Sequence, residues 1–431
     1  MKKPPPIHSS RRSAVVLVSA LVAACARSPA PPGRAIDREA EAYVRLALAL
    51  GERDPDSLDS YFGPPEWREE ARAKNPSLAQ IRREAVDLTL SAASNPSDDD
   101  EPRRAFLRRQ LGAIVARVDV ITGTRRAFAD ESRLLFGVDP PALDRAATSA
   151  ARDRLNRLVP GRGDLTRRIA DFQRRFLVPP DRVPRVFARA IDECRRVTLG
   201  HQPLPNDERV SVEYVGEYAW SAFTRYEGGH RSRITVNTGV GHTVDDLLQL
   251  ACHETYPGHH LINVLLDDRL VRTAGRRELA VQLLFTPQSL LAEGAASVAP
   301  QLAFADEERL AFERAVLFPL ANLDAHDADA SIEISRSLEA LAVVRTEIAE
   351  RYLDGGLEFA RAADAFEHEA LMPQPVSVLK FLNEYRSYAV VYARGPALAS
   401  AYIRAHARSG AAARWSAYVD LVTNASQAFE K

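Results

Sequence analysis

Cys252-His253-Glu254-Thr255-Tyr256-Pro257-Gly258-His259-His260 packs three histidines and a glutamate into one short stretch. Such groups are costly to bury without partners, and one divalent metal ion would satisfy several of them. A catalytic zinc takes about three protein ligands and leaves a position open to water. Neutral imidazoles bind the ion without cancelling its charge, and a nearby carboxylate that is not a ligand can take a proton from water. His253 is therefore a candidate ligand and Glu254 a candidate general base. In the usual arrangement a second histidine follows one helical turn later on the same face. Here that position, four after His253, is Pro257. Its ring cannot donate to the His253 carbonyl and clashes with it, so the helix should kink at Pro257-Gly258. In a straight helix His259 would face away from His253, and His260 would share its face but lie about 10 Å up the axis. Either can join His253 only if the backbone is remodelled there. The competing reading is a buried histidine cluster in which each ring is satisfied by hydrogen bonds.

The elements that must position these groups surround them. Thr243 can cap a helix that opens at Val244-Asp245-Asp246, with Asp246 reaching back as in a capping box. Leu247, Leu248, Leu250 and Ala251 make that helix apolar, hence buried. Just before it lies the only convincing β segment. Val210 to Val215 alternates, a second strand falls in Ala219 to Tyr226, Gly228-Gly229 reads as a turn, and Arg233 to Asn237 is a third strand. His230 and His242 flank that strand and read as loop residues.

The rest is helical in texture. Tyr43, Val44, Leu46, Leu48 and Leu50 form an apolar opening segment closed by Gly51, and Arg103 to Val118 is clearly periodic. Asn95 to Pro102 reads as a loop. Ile334, Leu338, Leu341, Val344 and Ile348 mark one long amphipathic helix stopped by Gly355-Gly356. His368-Glu369 reads as solvated helix surface. The expected fold is mainly α: one continuous helical domain over 36–431, with a small antiparallel sheet at about 209–238 next to the metal-binding helix.

The ends and the balance of charge bound the setting. Lys2, Lys3, Arg11 and Arg12 precede a short apolar run, Ser13 to Ala24, too short to span a bilayer. Leu21-Val22-Ala23-Ala24-Cys25 resembles a bacterial lipobox. That resemblance implies cleavage after residue 24 and lipidation of Cys25, with the Pro-rich segment to residue 35 as a tether. The expected location is the cell envelope of a Gram-negative bacterium, facing the periplasm, with the lipid as the only membrane contact. A net charge of −1 gives no electrostatic case for nucleic acid. Cys194 and Cys252 are too few for a disulfide framework. Cys252 reads as a small buried apolar residue.

His253-Glu254-Thr255-Tyr256-Pro257-Gly258-His259-His260-Leu261 resembles the H-E-x-x-P-G-H-H signature of the bacterial domain-of-unknown-function family eight-eight-five. Those proteins resemble carboxypeptidase Taq and oligopeptidase-like zinc metallopeptidases, which carry H-E-F-G-H-A-L. Aligning Gly258-His259-His260-Leu261 with G-H-A-L makes His259 the second ligand, with His260 as the alternative. The third ligand should then be a carboxylate on a later helix, and Glu293 is a lone charge among Leu290-Leu291-Ala292 and Gly294-Ala295-Ala296. The family pattern commonly has an aromatic residue after its Glu-Gly, where this chain has Ala295. Tyr385, Arg386, Tyr388 and Tyr392 could donate to an oxyanion, and family members also carry Tyr and Arg in a late helix; such a stripe can equally be core.

The resemblance implies an exported zinc peptidase of carboxypeptidase or oligopeptidase type, acting on peptide or peptide-like substrates through water activated with Glu254. In metallopeptidases of this kind an edge strand can pair with an extended peptide, and Arg233 to Asn237 is the candidate. The alternatives are a zinc amidase or deacylase acting on envelope material, and a non-catalytic helical lipoprotein scaffold.

Overall fold

The computed structural model of the protein describes residues 34–94, 100–216 and 220–424. The signal segment, Cys25 and nearly all of the tether lie outside these residues, as do most of the Asn95–Pro102 loop and Ala219. No described helix is long and apolar enough to cross a membrane.

The fold is mainly α, as expected, and its helices close around three apolar clusters. The first joins the opening helix Ala35–Arg53, the hairpin Leu78–Ser94 and Glu101–Ile121, and the last helix Ala411–Thr423. The second gathers Phe128, Leu155, Ile334, Val344, Leu379 and Tyr388. The third packs the sheet residues Ile234 and Val236 against Val186 and Phe187 of helix Val183–Leu199 and Leu247 and Leu248 of helix Val244–Glu254. Each fully buried leucine contributes roughly 1.5–3 kcal/mol, so the apolar run before His253 is a firm anchor for whatever follows it.

Helix Pro287–Ala303 lies between clusters. Leu291 and Ala295 serve the first and Leu290 the second. Glu293 belongs to neither and lines a cleft.

The main sheet holds β2 (Arg209–Val215), β3 (Ala222–Gly228) and β4 (Arg231–Asn237) in the order β2-β4-β3. The β3–β4 hairpin is antiparallel, and β2 joins β4 in parallel, with Val212 opposite Ile234. Gly228, Gly229 and His230 make the turn with positive φ, which the two glycines adopt freely. The predicted edge strand is corrected here. Arg233–Asn237 lies in the central strand, with partners on both sides, so it cannot receive a peptide. The edge that meets helix Val244–Glu254 is β3.

Sequence periodicity missed a second sheet, in which β1 (Leu58–Tyr61) pairs antiparallel with β5 (Val281–Leu283). Gly51 lies inside the first helix rather than closing it. An added Cβ there would fall 2.7 Å from Leu58 Cβ, so glycine admits the start of β1. The long helix predicted through Ile334 and Ile348 breaks into Ala328–Glu339 and Ala342–Leu353.

The cysteines also differ from expectation. Cys194 and Cys252 form a disulfide. It ties helix Val244–Glu254 to helix Val183–Leu199 one residue before His253.

Candidate metal centre

Helix Val244–Glu254 starts as its sequence predicts. Thr243 Oγ1 accepts from the Asp246 amide, and Asp246 Oδ2 accepts from the Thr243 amide. The helix stops at Glu254, and a new one runs over His259–Leu265. Between them the chain turns sharply at Pro257-Gly258. The Gly258 amide donates to the Cys252 carbonyl at 3.0 Å, and the buried Tyr418 hydroxyl donates to the Pro257 carbonyl at 2.7 Å. A Cβ on Gly258 would sit 1.8 Å from the His253 carbonyl oxygen, so no other residue fits this elbow.

The elbow decides between the two histidines. His259 turns back to His253, with ring centroids 4.8 Å apart and planes at 83°. Glu293 meets both: Oε2 lies 3.7 Å from His253 Nε2 and Oε1 lies 3.4 Å from His259 Nε2. One donor atom from each residue lies within 4.8 Å of the others. Donors about 2.0–2.2 Å from a zinc ion stand about 3.3–3.6 Å apart at the corners of a tetrahedron. The histidines stand 3.7 and 3.4 Å from the two different Glu293 oxygens, close to that size, and two imidazoles with one carboxylate are a donor set that zinc accepts. The side chains are 17–23% exposed, so the trio opens onto the cleft and leaves room for a fourth position.

His259 and Glu293 form an ion pair in which each favours the charged form of the other. Burial disfavours the charged form of His259, but Glu293 outweighs it and pushes the ring up to about 9. Burial likewise opposes ionised Glu293, yet His259 and His253 hold its carboxyl down at about 2. Burial and His259 together push His253 down. A metal ion must displace the proton on His259 to bind.

Glu254 is buried and stands beside the trio. The Thr224 hydroxyl, on the edge strand β3, lies 2.6 Å from Glu254 Oε2 and 2.8 Å from its backbone oxygen. That contact orients the carboxylate and joins β3 to the metal helix.

The glycine after Glu293 has its own reason. An added Cβ on Gly294 would meet the Gly395 carbonyl oxygen at 2.3 Å. Helix Pro287–Ala303 thus crosses helix Val391–His406 backbone against backbone. The crossing brings the tyrosines over Glu293. Tyr388 is buried close to Glu293 and helps to hold its carboxyl down. Burial and then Glu293 hold its hydroxyl proton firmly. Tyr392 is half exposed and lines the same cleft. Tyr385 also lines it, its ring stacked on Phe381 at 4.8 Å. Arg386 is a correction: it sits past the end of helix Pro375–Tyr385 at φ +48°, and its Nε donates to Glu131 Oε2 at 2.9 Å. It does not line the cleft.

His260, the alternative ligand, is fully buried and otherwise engaged. Its Nδ1 lies 2.7 Å from Ser232 Oγ and its Nε2 lies 3.1 Å from Glu208 Oε2. Glu208 also accepts from Tyr256 and Arg195. It therefore clasps the elbow from both sides of Pro257. Nothing in Asn206-Asp207-Glu208 announces this, because its partners come from two other segments, helix Val183–Leu199 and the elbow itself. Burial works against ionised Glu208, but His260, Tyr256 and Arg195 win and hold its carboxyl near about 2.

A test follows from this clasp. Glu208→Gln should loosen the elbow and lower the melting temperature, because His260, Tyr256 and Arg195 lose the charge of their shared acceptor. Because the folded-state carboxyl lies below its free value of 4.5, its stabilising effect is present above about 4.5. It is lost as pH falls from there toward about 2. The gap in melting temperature between wild type and Glu208→Gln should shrink across that window; a gap independent of pH would contradict this.

His230 and His242 stay outside the centre. His230 Nδ1 faces Asp207, and His242 Nε2 faces the Asn237 carbonyl. His368 is exposed beside Asp164, as expected for helix surface.

The centre opens into a cleft of about 1870 Å³. That exceeds the roughly 300–1,000 Å³ of ordinary small-molecule pockets and leaves room for an extended chain.

No protein-family model and no curated protein matches the chain. Among solved structures it is similar to a protein from Colwellia psychrerythraea described as a lipoprotein. The identity is 14%, the TM-score 0.48, and the match covers 82% of this chain and 67% of that one. It is also similar to a protein from Shewanella oneidensis described as a lipoprotein of unknown function. There the identity is 11%, the TM-score 0.43, and the coverage 89% and 82%.

Proposed function

We propose that the protein is an exported zinc-dependent peptidase, related to the H-E-x-x-P-G-H-H proteins that its motif resembles, with His253, His259 and Glu293 as ligands. The observation that carries this reading is the size of the trio, with edges of 3.4 and 3.7 Å to Glu293 and a non-ligand carboxylate, Glu254, beside it. Zinc, when bound, supplies a Lewis acid for the scissile carbonyl and lowers the pKa of water. Glu254, held by Thr224, accepts the proton at its carboxylate and later returns it to the leaving amine. Tyr392 donates from its hydroxyl to the oxygen on which charge develops. Tyr388, buried beside Glu293, supports the ligand instead. The free edge of β3 beside Glu254 suits an extended peptide better than the central strand first considered. Export and lipid anchoring at Cys25 belong to the same proposal, and the Cys194–Cys252 disulfide supports them, since such bonds persist in oxidising compartments.

Metal content decides first. The purified protein should hold one zinc per chain by elemental analysis, and His253→Ala and Glu293→Ala should lose it. Metal-free wild type, after zinc is supplied and excess removed, would leave the non-catalytic lipoprotein scaffold as the better account. Stoichiometric zinc without action on a peptide pool would point to the amidase or deacylase reading.

A further inference from the structure

Arg345 is a cation that the centre described above does not use. On helix Ala342–Leu353 it shares one face with Ala342, Thr346 and Ala349, and that face lines the cleft. Val344 and Ile348, on the other face, are buried in the second apolar cluster with Leu290 and Tyr388. The helix also packs on the turn Arg386–Val390 that carries Tyr388, the tyrosine beside Glu293. One core thus holds both Arg345 and the helix of Glu293, Pro287–Ala303, against the same cleft.

The guanidinium is under-partnered. Its Nη2 donates to the Leu338 carbonyl. Its Nε is buried without a hydrogen-bond partner, and its Nη1 makes no hydrogen bond with any described residue. Glu339 lies within electrostatic reach but forms no ion pair with it. Burial works against the charge and pulls the pKa of Arg345 down. The other two Lys or Arg side chains that line the cleft are accommodated: Arg276 Nε donates to Glu278 Oε1 at 3.0 Å, and Lys380 is exposed. A buried cation without a counter-ion gains from an incoming anion, and the planar fork of a guanidinium suits a carboxylate. The same cleft holds a second orphan of opposite need. Gln288 is 8% exposed, and its Oε1 has no hydrogen-bond partner. It precedes Glu293 on the same helix by about 7.5 Å along the axis and calls for an N–H. A carboxylate carried by a peptide supplies both partners; phosphate or a fatty acid supplies only the anion.

We propose that Arg345 binds a carboxylate of the peptide in the cleft, either the free carboxy-terminus or an acidic side chain, and so makes the protein select chains that carry one. That the ligand is a peptide rests on the peptidase reading above; the anion site itself stands on the guanidinium.

The test uses three pools of short random peptides. The first lacks Asp and Glu and is free at the carboxy end, the second is the same pool amidated there, and the third is amidated but contains Asp and Glu. Zinc-loaded protein carrying Glu254→Gln is immobilised, and retained peptides are counted by mass spectrometry. The first pool, the third or both should be retained roughly tenfold or more over the second, the scale of one charge-assisted hydrogen bond. Which pool it is identifies the source of the carboxylate. Adding Arg345→Gln should abolish the preference without loss of zinc or melting temperature, since the amide can still donate to Leu338 and an unpaired buried charge is gone. Arg345→Lys, which keeps the charge and not the fork, should keep a reduced preference. Equal retention of the three pools, a preference that survives Arg345→Gln, or a fall in melting temperature in that variant would each overturn the proposal. With active protein, Arg345→Gln should raise KM for the preferred pool and leave kcat. Preference without turnover by zinc-loaded wild type would remove the peptidase reading and leave the carboxylate site standing.

Discussion

Glu254→Gln is expected to keep one zinc per chain and to lower peptide turnover by roughly 10²–10⁴-fold, the usual worth of a positioned general base. The separation of the two effects is the point. Glu254 is not among the three clustered donors. Its removal therefore leaves the ligand set intact. The amide nearly matches the carboxylate in size, and its oxygen can still accept from Thr224, which lies 2.6 Å from Glu254 Oε2. The fold should not notice the change, because a neutral group at this largely buried position is cheaper than a charged one. Metal analysis and turnover on the same preparation check this. Full turnover in Glu254→Gln would remove Glu254 from the chemistry. Loss of zinc would make it a ligand.

Gly258→Ala should be the most damaging single-methyl change in the molecule. The added Cβ would stand 1.8 Å from the His253 carbonyl oxygen and 2.5 Å from that of Cys252. Both are backbone atoms, pinned by the disulfide and the buried helix, so neither can yield as a side-chain tip would. The elbow must open, and His259 must swing away from His253. The cost exceeds the roughly 1–3 kcal/mol of ordinary overpacking. Zinc should be lost, with a large fall in melting temperature. Gly112→Ala is the control: its Cβ would meet nothing within 4 Å, on a helix surface where alanine is favoured by about 0.5–1 kcal/mol. Equal behaviour of the two variants would show that the elbow is softer than its geometry implies.

What was legible in the sequence was local. Thr243 and Asp246 cap the metal helix from within one turn. Pro257 declares the kink through its missing donor. Residue types alone could not choose between His259 and His260, because that choice depends on how tightly Gly258 folds onto His253. The motif's resemblance pointed to His259, and it is the His259 ring that lies against His253 in the structure. Glu293 was visible as a charge in apolar text, although the reason for Gly294 lies a hundred residues away in Gly395. The misses are long-range. β1 and β5 are too short to show a period, and the bulge at Asp59 is a register with a partner more than 200 residues later. The central position of Arg233–Asn237 depends on β2 joining in parallel, which alternation cannot reveal. Arg386 was read as part of a helical stripe, but the helix ends at Tyr385 and turns its side chain away. The disulfide needed two helices to be packed before it could be seen.

That disulfide also bears on which metal the centre can take. Cys252 directly precedes His253, and as a thiolate it would be the softest donor in this part of the chain while the elbow forms. Thiolates favour copper(I) and other soft ions that imidazole and carboxylate hold less well. Once its sulfur is joined to Cys194, the segment offers only nitrogen and oxygen. In the zinc reading proposed above, oxidation of this pair would act as a filter on metal identity, through a residue outside the proposed ligand set.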